Sequence, residues 1–137
     1  MKKIAALHQF LIALELFAAE QIESFIDVLN ITPSGETVFS PAGICFADIE
    51  YTATFFIERY PHGIRPAELF IAQLSAWLLQ DNNPRDSPVF NIDMNVDVLD
   101  AQTADIEFAI KFNEMIEAVE DPDGLIVYQD KRYSLRD

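Results

Sequence analysis

The sequence predicts an α+β fold, a two-layer sandwich in which a mainly antiparallel or mixed β-sheet carries two helices on one face. Several segments alternate apolar and polar residues with the period of two that a half-buried strand shows, and they share the same polarity. Two other segments place their apolar residues on one helical face. The length of 137 residues and a hydrophobic content of 50% predict a single domain with one core over residues 1–137.

A central helix is predicted at about residues 66–80 and contains the single tryptophan, Trp77. Pro66 suits the first helical position, and the polar stretch 82–84 ends the helix. We expect its apolar face to lie on the sheet, with Trp77 as the anchor of the core. That face comprises Ala67, Phe70, Ile71, Leu74, Trp77 and Leu78.

The second cover of the sheet is predicted to be an N-terminal helix at about residues 3–19. Its apolar stripe consists of Ile4, Leu7, Leu11, Leu14 and Ala18, widened by Phe10 and Phe17. The same segment imitates a secretory signal, because two lysines precede an apolar run. His8, Gln9 and Glu15 interrupt that run, which favours the amphipathic helix.

The main sheet is predicted from strands at about residues 24–32, 45–60, 89–98, 104–113 and 125–128. The third and fourth should form a hairpin, because both alternate regularly and only the short stretch 100–103 separates them as a turn. Pro33, Ser34 and Gly35 are expected to end the first strand as a turn, and residues 81–88 to form an exposed, mobile loop. Residues 113–120 suit either a helical turn or a continuing strand, and 129–137 is expected to be a polar tail.

The formal net charge of −14 argues against binding to duplex DNA or to an anionic membrane, since both need a basic surface. It predicts basic protein partners or repulsion of polyanions. Five of the nine basic residues lie at the chain ends: Lys2, Lys3, Lys131, Arg132 and Arg136. The part between them is therefore even more acidic than the total suggests. No segment is long and apolar enough to span a bilayer.

The residue types of catalysis and cofactor binding do not form recognisable patterns. Cys45 is the single cysteine, so we expect a small buried side chain and a reducing compartment. His8 and His62 are far apart, without further ligands at metal-binding spacing, and structural or surface roles are expected for both. The four glycines are too scattered for a phosphate-binding loop, and no serine lies in a nucleophile elbow. We therefore predict no enzyme activity, no cofactor and no metal site.

Four acidic residues should share the polar face of the predicted hairpin: Asp93, Asp97, Asp105 and Glu107. A catalytic dyad needs one carboxyl group in an apolar pocket, whereas these residues alternate with asparagines, so a hydrated or partner-facing surface is favoured. The stretch from Asp121 to Gly124 is similar to part of a calcium loop, but a valine occupies position 119, and we predict a turn. The acidic face either repels or mimics nucleic acid, or docks on a basic protein.

A family resemblance appears in residues spread over the predicted strands and the central helix. They are Phe46, Tyr51 and Thr52, then Ala76, Trp77 and Leu78, then Phe90, and finally Asp105 and Ile106. In order and spacing they resemble the tail completion protein R family of contractile-tailed temperate bacteriophages. The resemblance covers roughly positions 44–128, and before position 40 it is limited to a helix followed by a strand.

The resemblance implies a structural protein of a phage or prophage, made in the host cytoplasm and carried in the virion tail. It implies a homo-oligomeric ring that caps the head-proximal end of the tail tube and prepares head–tail joining, with tube, sheath and connector proteins as partners. A small tail-terminator-like α/β fold is expected, and no catalytic residue or cofactor transfers. The acidic residues 93, 97, 105 and 107 would then face either a DNA-filled lumen or a partner. The alternative is an acidic inhibitor, of the immunity or DNA-mimic type, on a basic partner.

Overall fold

The computed structural model describes residues 1–38, 43–80 and 92–136. The helices are α1 (Lys2–Ala13) and α2 (Ala67–Leu78), and a short 3₁₀ turn covers Ala19–Gln21. The strands are β1 (Ile22–Val38), β2 (Gly43–Tyr60), β3 (Asp93–Val98), β4 (Ala104–Glu120), β5 (Ile126–Tyr128) and β6 (Lys131–Leu135). The α+β class predicted from the sequence is therefore confirmed.

The strands form one sheet with the order β1-β2-β4-β6-β5, and β3 pairs with β4 beside this path. The pairs β3–β4, β4–β6 and β5–β6 are all antiparallel. Within the described ranges, β1 has a strand neighbour on one side alone, so it is an edge strand. The chain divides into two compact units, one of residues 1–28 and 51–112, the other of residues 29–50 and 113–137. The single-domain organisation stays a prediction.

The first unit has its core between the sheet and the two helices. The alternating residues of β2 and β4 predicted to face inward are almost completely buried: Tyr51, Ala53, Phe55, Ile57, Ile106, Phe108, Ile110 and Phe112. Phe55 stacks on Phe108 with ring centroids 5.0 Å apart. The Tyr51 hydroxyl accepts the backbone N–H of Ile4 in α1 at 3.2 Å, and Phe70 of α2 contacts Phe108. Both helices thus pack on the same face of this part of the sheet.

The second unit is held together by aromatic contacts and a short hairpin. Phe46 meets the rings of Tyr128 and Tyr133 edge-on, with centroids 5.3 Å and 5.4 Å away. Gly124 lies against the backbone of Tyr133, where a Cβ atom would collide. The Arg136 guanidinium donates to the Glu117 carboxylate at 2.9 Å.

Helix α1 ends at Ala13, well before the predicted end at residue 19. The apolar spacing continues past this point, but Glu15 adopts a positive φ of 56°, which a continuing right-handed helix excludes. Leu16 and Phe17 are nevertheless buried, and the Phe17 ring contacts Tyr60 and Phe70. The predicted stripe thus includes the buried Phe17 but omits the buried Leu16, and its last member, Ala18, is exposed.

Strands β1 and β4 extend further than the sequence predicts, and the described ranges contain one strand, β6, that it does not predict. Strand β1 runs through the predicted turn at Pro33–Gly35, because an edge strand tolerates a proline and Gly35 accepts a φ of 85°. Strand β4 continues to Glu120, which decides the open assignment of residues 113–120 in favour of a strand. The predicted polar tail contains β6, which pairs with both β4 and β5. The predicted loop 81–88 and residues 89–91 of the third predicted strand lie outside the described residues.

Candidate functional site

The turn between β3 and β4 is fixed by one carboxylate. Asp100 Oδ1 accepts the backbone N–H groups of Gln102 at 2.8 Å and Thr103 at 2.7 Å, and the Thr103 hydroxyl at 3.1 Å. These hydrogen bonds stabilise the charged carboxylate and lower the pKa of Asp100 below its ordinary value. The bond from the backbone N–H of Gln102 contributes most to this shift. The side chain thereby sets the turn that aligns the two strands of the hairpin.

The register of this hairpin brings the four predicted acidic residues to one sheet face. Asp97 lies directly opposite Asp105, Asn95 opposite Glu107, and Asp93 opposite Ala109. Asp93, Asp97 and Glu107 are exposed, whereas Asp105 is half-buried and its Oδ1 accepts the backbone N–H of Arg59 at 3.0 Å. Facing carboxylates repel each other, so this arrangement contributes a concentrated negative potential at some cost in stability.

The same face of the sheet carries further carboxylates that do not belong to the predicted site. Glu58 alternates with the buried residues of β2, so it projects to the face that holds Asp105 and Glu107. On β1, the hydrogen bond from Ser24 to His8 places Ser24 on the helix side, so Glu23 and Asp27 project to the acidic side. The alternation in β2 already identified Glu58 as solvent-facing. On β1 both alternating sets are mostly apolar, so the sequence could not assign its faces.

The face of the sheet that the sequence predicts to be polar is not uniformly exposed to solvent. Thr54 lies on it, yet the residue is 6% exposed, and its hydroxyl has no hydrogen-bond partner among the described residues. Strand β2 is an interior strand, flanked by β1 and β4, and side chains on neighbouring strands shield such a position. Lys111 is exposed on the same face of β4 and offsets part of the negative charge.

Both histidines make structural hydrogen bonds. His62 Nε2 lies 2.9 Å from the carbonyl oxygen of Asp100, which can only accept, so this nitrogen carries the proton. Gly63 donates its N–H to the Gln102 carbonyl at 3.1 Å, and the two bonds tie the segment before α2 to the hairpin turn. His8 Nδ1 is 2.7 Å from the Ser24 hydroxyl.

The remaining singled-out residues occupy the core or a turn. Trp77 is 8% exposed and its ring lies 5.9 Å from that of Phe10 in α1. Cys45 is buried, and its thiol donates to the Ala47 carbonyl. At the turn after β4, Asp121 accepts the Ser134 hydroxyl and the N–H of Asp123, and these bonds lower its pKa. The turn predicted there is formed, with the Gly124 N–H donating to the Asp121 carbonyl.

Across 1–38, 43–80 and 92–136, no group of three or more histidine, cysteine and acidic side chains is arranged to hold a metal ion. None of the helices in those ranges has the length and apolar character needed to cross a membrane.

The fold places this chain in the class of small α+β proteins. In its first unit, the sheet carries an acidic face. Residues 1–136 match the family model described as P2 phage tail completion protein R (GpR), and the chain belongs to that family. The resemblance seen in the sequence is thereby confirmed, and it extends through the N-terminal part as well.

One curated relative is a 19.2 kDa protein of Haemophilus phage HP1 (strain HP1c1), described as uncharacterized and located in the rep-hol intergenic region. It is 30% identical over 95 residues, which make up 68% of this chain and 57% of the relative. The chain thus matches little more than half the length of that relative. No solved structure matches the chain.

Proposed function

We propose that this protein completes the phage tail by capping the head-proximal end of the tail tube as a homo-oligomeric ring. The ring stops tube growth and prepares the tail for joining to the head. The observation that carries this proposal is the family match over residues 1–136. The proposed partners are tube, sheath and connector proteins, met in the host cytoplasm during assembly and retained in the virion tail. A tail-terminator-like fold, a non-enzymatic role and a single domain belong to the same proposal.

The acidic face suggests how such a ring would treat DNA. Asp93, Asp97, Asp105 and Glu107 lie within one short hairpin, and three of them are exposed. Carboxylates lining a lumen would repel the phosphates of the passing genome and keep it from adhering to the wall. We propose that the hairpin faces this lumen. If it instead contacts a partner, the same residues would be needed for assembly.

The main test compares tails made with and without this protein by electron microscopy. In a phage or prophage that carries the gene, its deletion should yield overlong or headless tails, and a plasmid copy should restore normal particles. Tails of normal length joined normally to heads would contradict the proposed function.

A second test distinguishes a hairpin that faces the lumen from a hairpin that contacts a partner protein. The variant Asp93→Asn, Asp97→Asn, Asp105→Asn, Glu107→Gln changes the net charge from −14 to −10 (−14 + 4). The amide that replaces the Asp105 carboxylate would keep an oxygen able to accept the Arg59 N–H. Assembly should remain intact and DNA ejection should slow. The matched control neutralises four exposed acids elsewhere: Glu15, Glu20, Glu68 and Asp123. Failed assembly of the hairpin variant alone would contradict the lumen and support an interface.

The competing function is an acidic inhibitor that binds a basic toxin or mimics DNA, and the net charge of −14 favours it. It predicts a monomer that forms a tight complex with one basic protein and normal tails after gene deletion. The deletion experiment therefore separates the two functions directly.

A further inference from the structure

The free edge of the sheet in the first unit carries exposed apolar side chains. In β1, the side chains of Phe25 and Val28 are each 51% exposed and that of Ile26 is 38% exposed. No strand in the described parts of the chain pairs with the outer side of β1. Natural proteins protect such an edge with lysine, proline or a covering element, because its unpaired backbone groups recruit other strands. Residues 22–28 contain no lysine or proline.

A groove runs beside this edge. It is open, has a volume of about 450 Å³, and lies between helix α1 and strand β1. Its walls are mainly apolar, and the bonded side chains of His8 and Ser24 lie within it. Its lining residues include Ile4 and Ala5 of α1 and Ile26 of β1. An additional strand beside β1 would direct every second side chain toward this groove.

The other face of the same edge carries negative charge. Glu23 and Asp27 project to the acidic side of β1, on either side of Phe25, and all three are exposed. A strand paired with β1 would place its remaining side chains beside them, where basic residues are stabilised and acidic residues are repelled. The edge therefore selects a strand that alternates apolar residues with lysine or arginine.

The edge strand β3 of a second copy does not meet this requirement. In the antiparallel hairpin it presents Asp93 and Asp97 on the acidic face, and these would lie beside Glu23 and Asp27 of the neighbour. Like charges on adjacent strands are destabilising. The charge pattern thus argues against β3 of a second copy and favours an occupant that carries basic residues.

We propose that β1 between Ile22 and Val28 is a docking edge for an extended, basic segment of another tail or neck protein, which adds a strand to the sheet. Backbone hydrogen bonds supply much of the affinity in this mode of recognition, and alternate side chains supply the specificity. Apolar residues of the segment enter the groove beside α1, and its basic residues face Glu23 and Asp27. This inference rests on the proposed place of the protein in the tail.

The test uses photo-crosslinking in assembled tails. A benzophenone amino acid replaces Phe25 in the full-length protein, tails with normal morphology are irradiated, and the cross-linked peptide is identified by mass spectrometry. We expect a peptide from a different tail or neck protein in which Lys or Arg alternates with apolar residues. Cross-linking to a second copy of this chain, to an acidic segment, or to nothing in normal tails would overturn the proposal.

Charge reversals supply the matched control. Asp27→Lys should lower the cross-linking yield about tenfold or more, because it turns an attractive neighbour into a repulsive one. Asp123→Lys makes the same change at an exposed acid in the turn after β4 and should leave the yield within about twofold. Equal yields in both variants would contradict a docking edge at β1. Normal tails after deletion of the gene would instead refute the proposed tail function itself, so the two failures are distinguishable.

Discussion

The replacement Trp77→Ala tests whether α2 closes the core of the first unit. Trp77 is 8% exposed, lies on the sheet-facing side of α2, and contacts Phe10 of α1. Truncating a buried tryptophan to alanine costs about 3–5 kcal/mol, since apolar contacts are lost and a cavity remains. A protein of this size unfolds with a free energy of about 5–15 kcal/mol, so the loss is a large share of the total. At a typical urea slope of about 2 kcal/mol/M, the midpoint should fall by about 2 M.

Urea titration followed by far-UV circular dichroism measures this effect, because Trp77 is the single tryptophan and its fluorescence is lost in the variant. The control is Leu79→Ala, two residues further along, where the side chain is 74% exposed. It should change the free energy of unfolding by less than about 0.5 kcal/mol. Equal midpoints for Trp77→Ala and the wild type would refute the role of Trp77 as a core anchor and place α2 at the periphery.

Three further predictions concern turns and titration. The lowered pKa of Asp100 contributes stability above its unfolded-state value, and this contribution is lost as the pH falls through the folded-state value. Asp100→Asn keeps an accepting oxygen but cannot titrate. Between neutral pH and about pH 2.5, its thermal unfolding midpoint should therefore fall by less than that of the wild type. An equal fall in both proteins would contradict this prediction. Burial raises the pKa of Tyr60, so stability should fall as the pH rises past about 10, and Tyr60→Phe should reduce that fall in alkaline melting curves. Gly124→Ala should destabilise by about 1–3 kcal/mol in urea, because the new Cβ meets the Tyr133 backbone; an unchanged midpoint would show that the turn adapts.

Much of the first unit could be predicted from residue spacing. The period of two in β2 and β4 is regular, and the inward set from Tyr51 to Ile57 is buried as expected. The prediction of the buried face of α2 is largely correct, because Phe70, Leu74 and Trp77 are buried, although Ile71 is 42% exposed. These elements are long and each buries one face, so their patterns are strong.

The remaining elements depend on tertiary contacts that leave little local signal. Strand β6 has one buried residue, Tyr133, and owes its conformation to pairing with β4 and β5. Helix α1 ends just before Glu15, whose positive φ the apolar spacing does not reveal. For the acidic face, the alternation predicted the hairpin residues but not their neighbours on β1. Assigning Glu23 and Asp27 required the bond between His8 and Ser24.

We propose that this protein forms a ring at the head-proximal end of the tail tube. A cryo-electron microscopy reconstruction of that end, in tails that contain the protein, tests it most directly. We predict a closed ring of density at the junction with the head, each subunit fitted by the α+β fold with its β3–β4 hairpin toward the channel. Density for the protein at the far end of the tube, or none in the finished tail, would contradict the account.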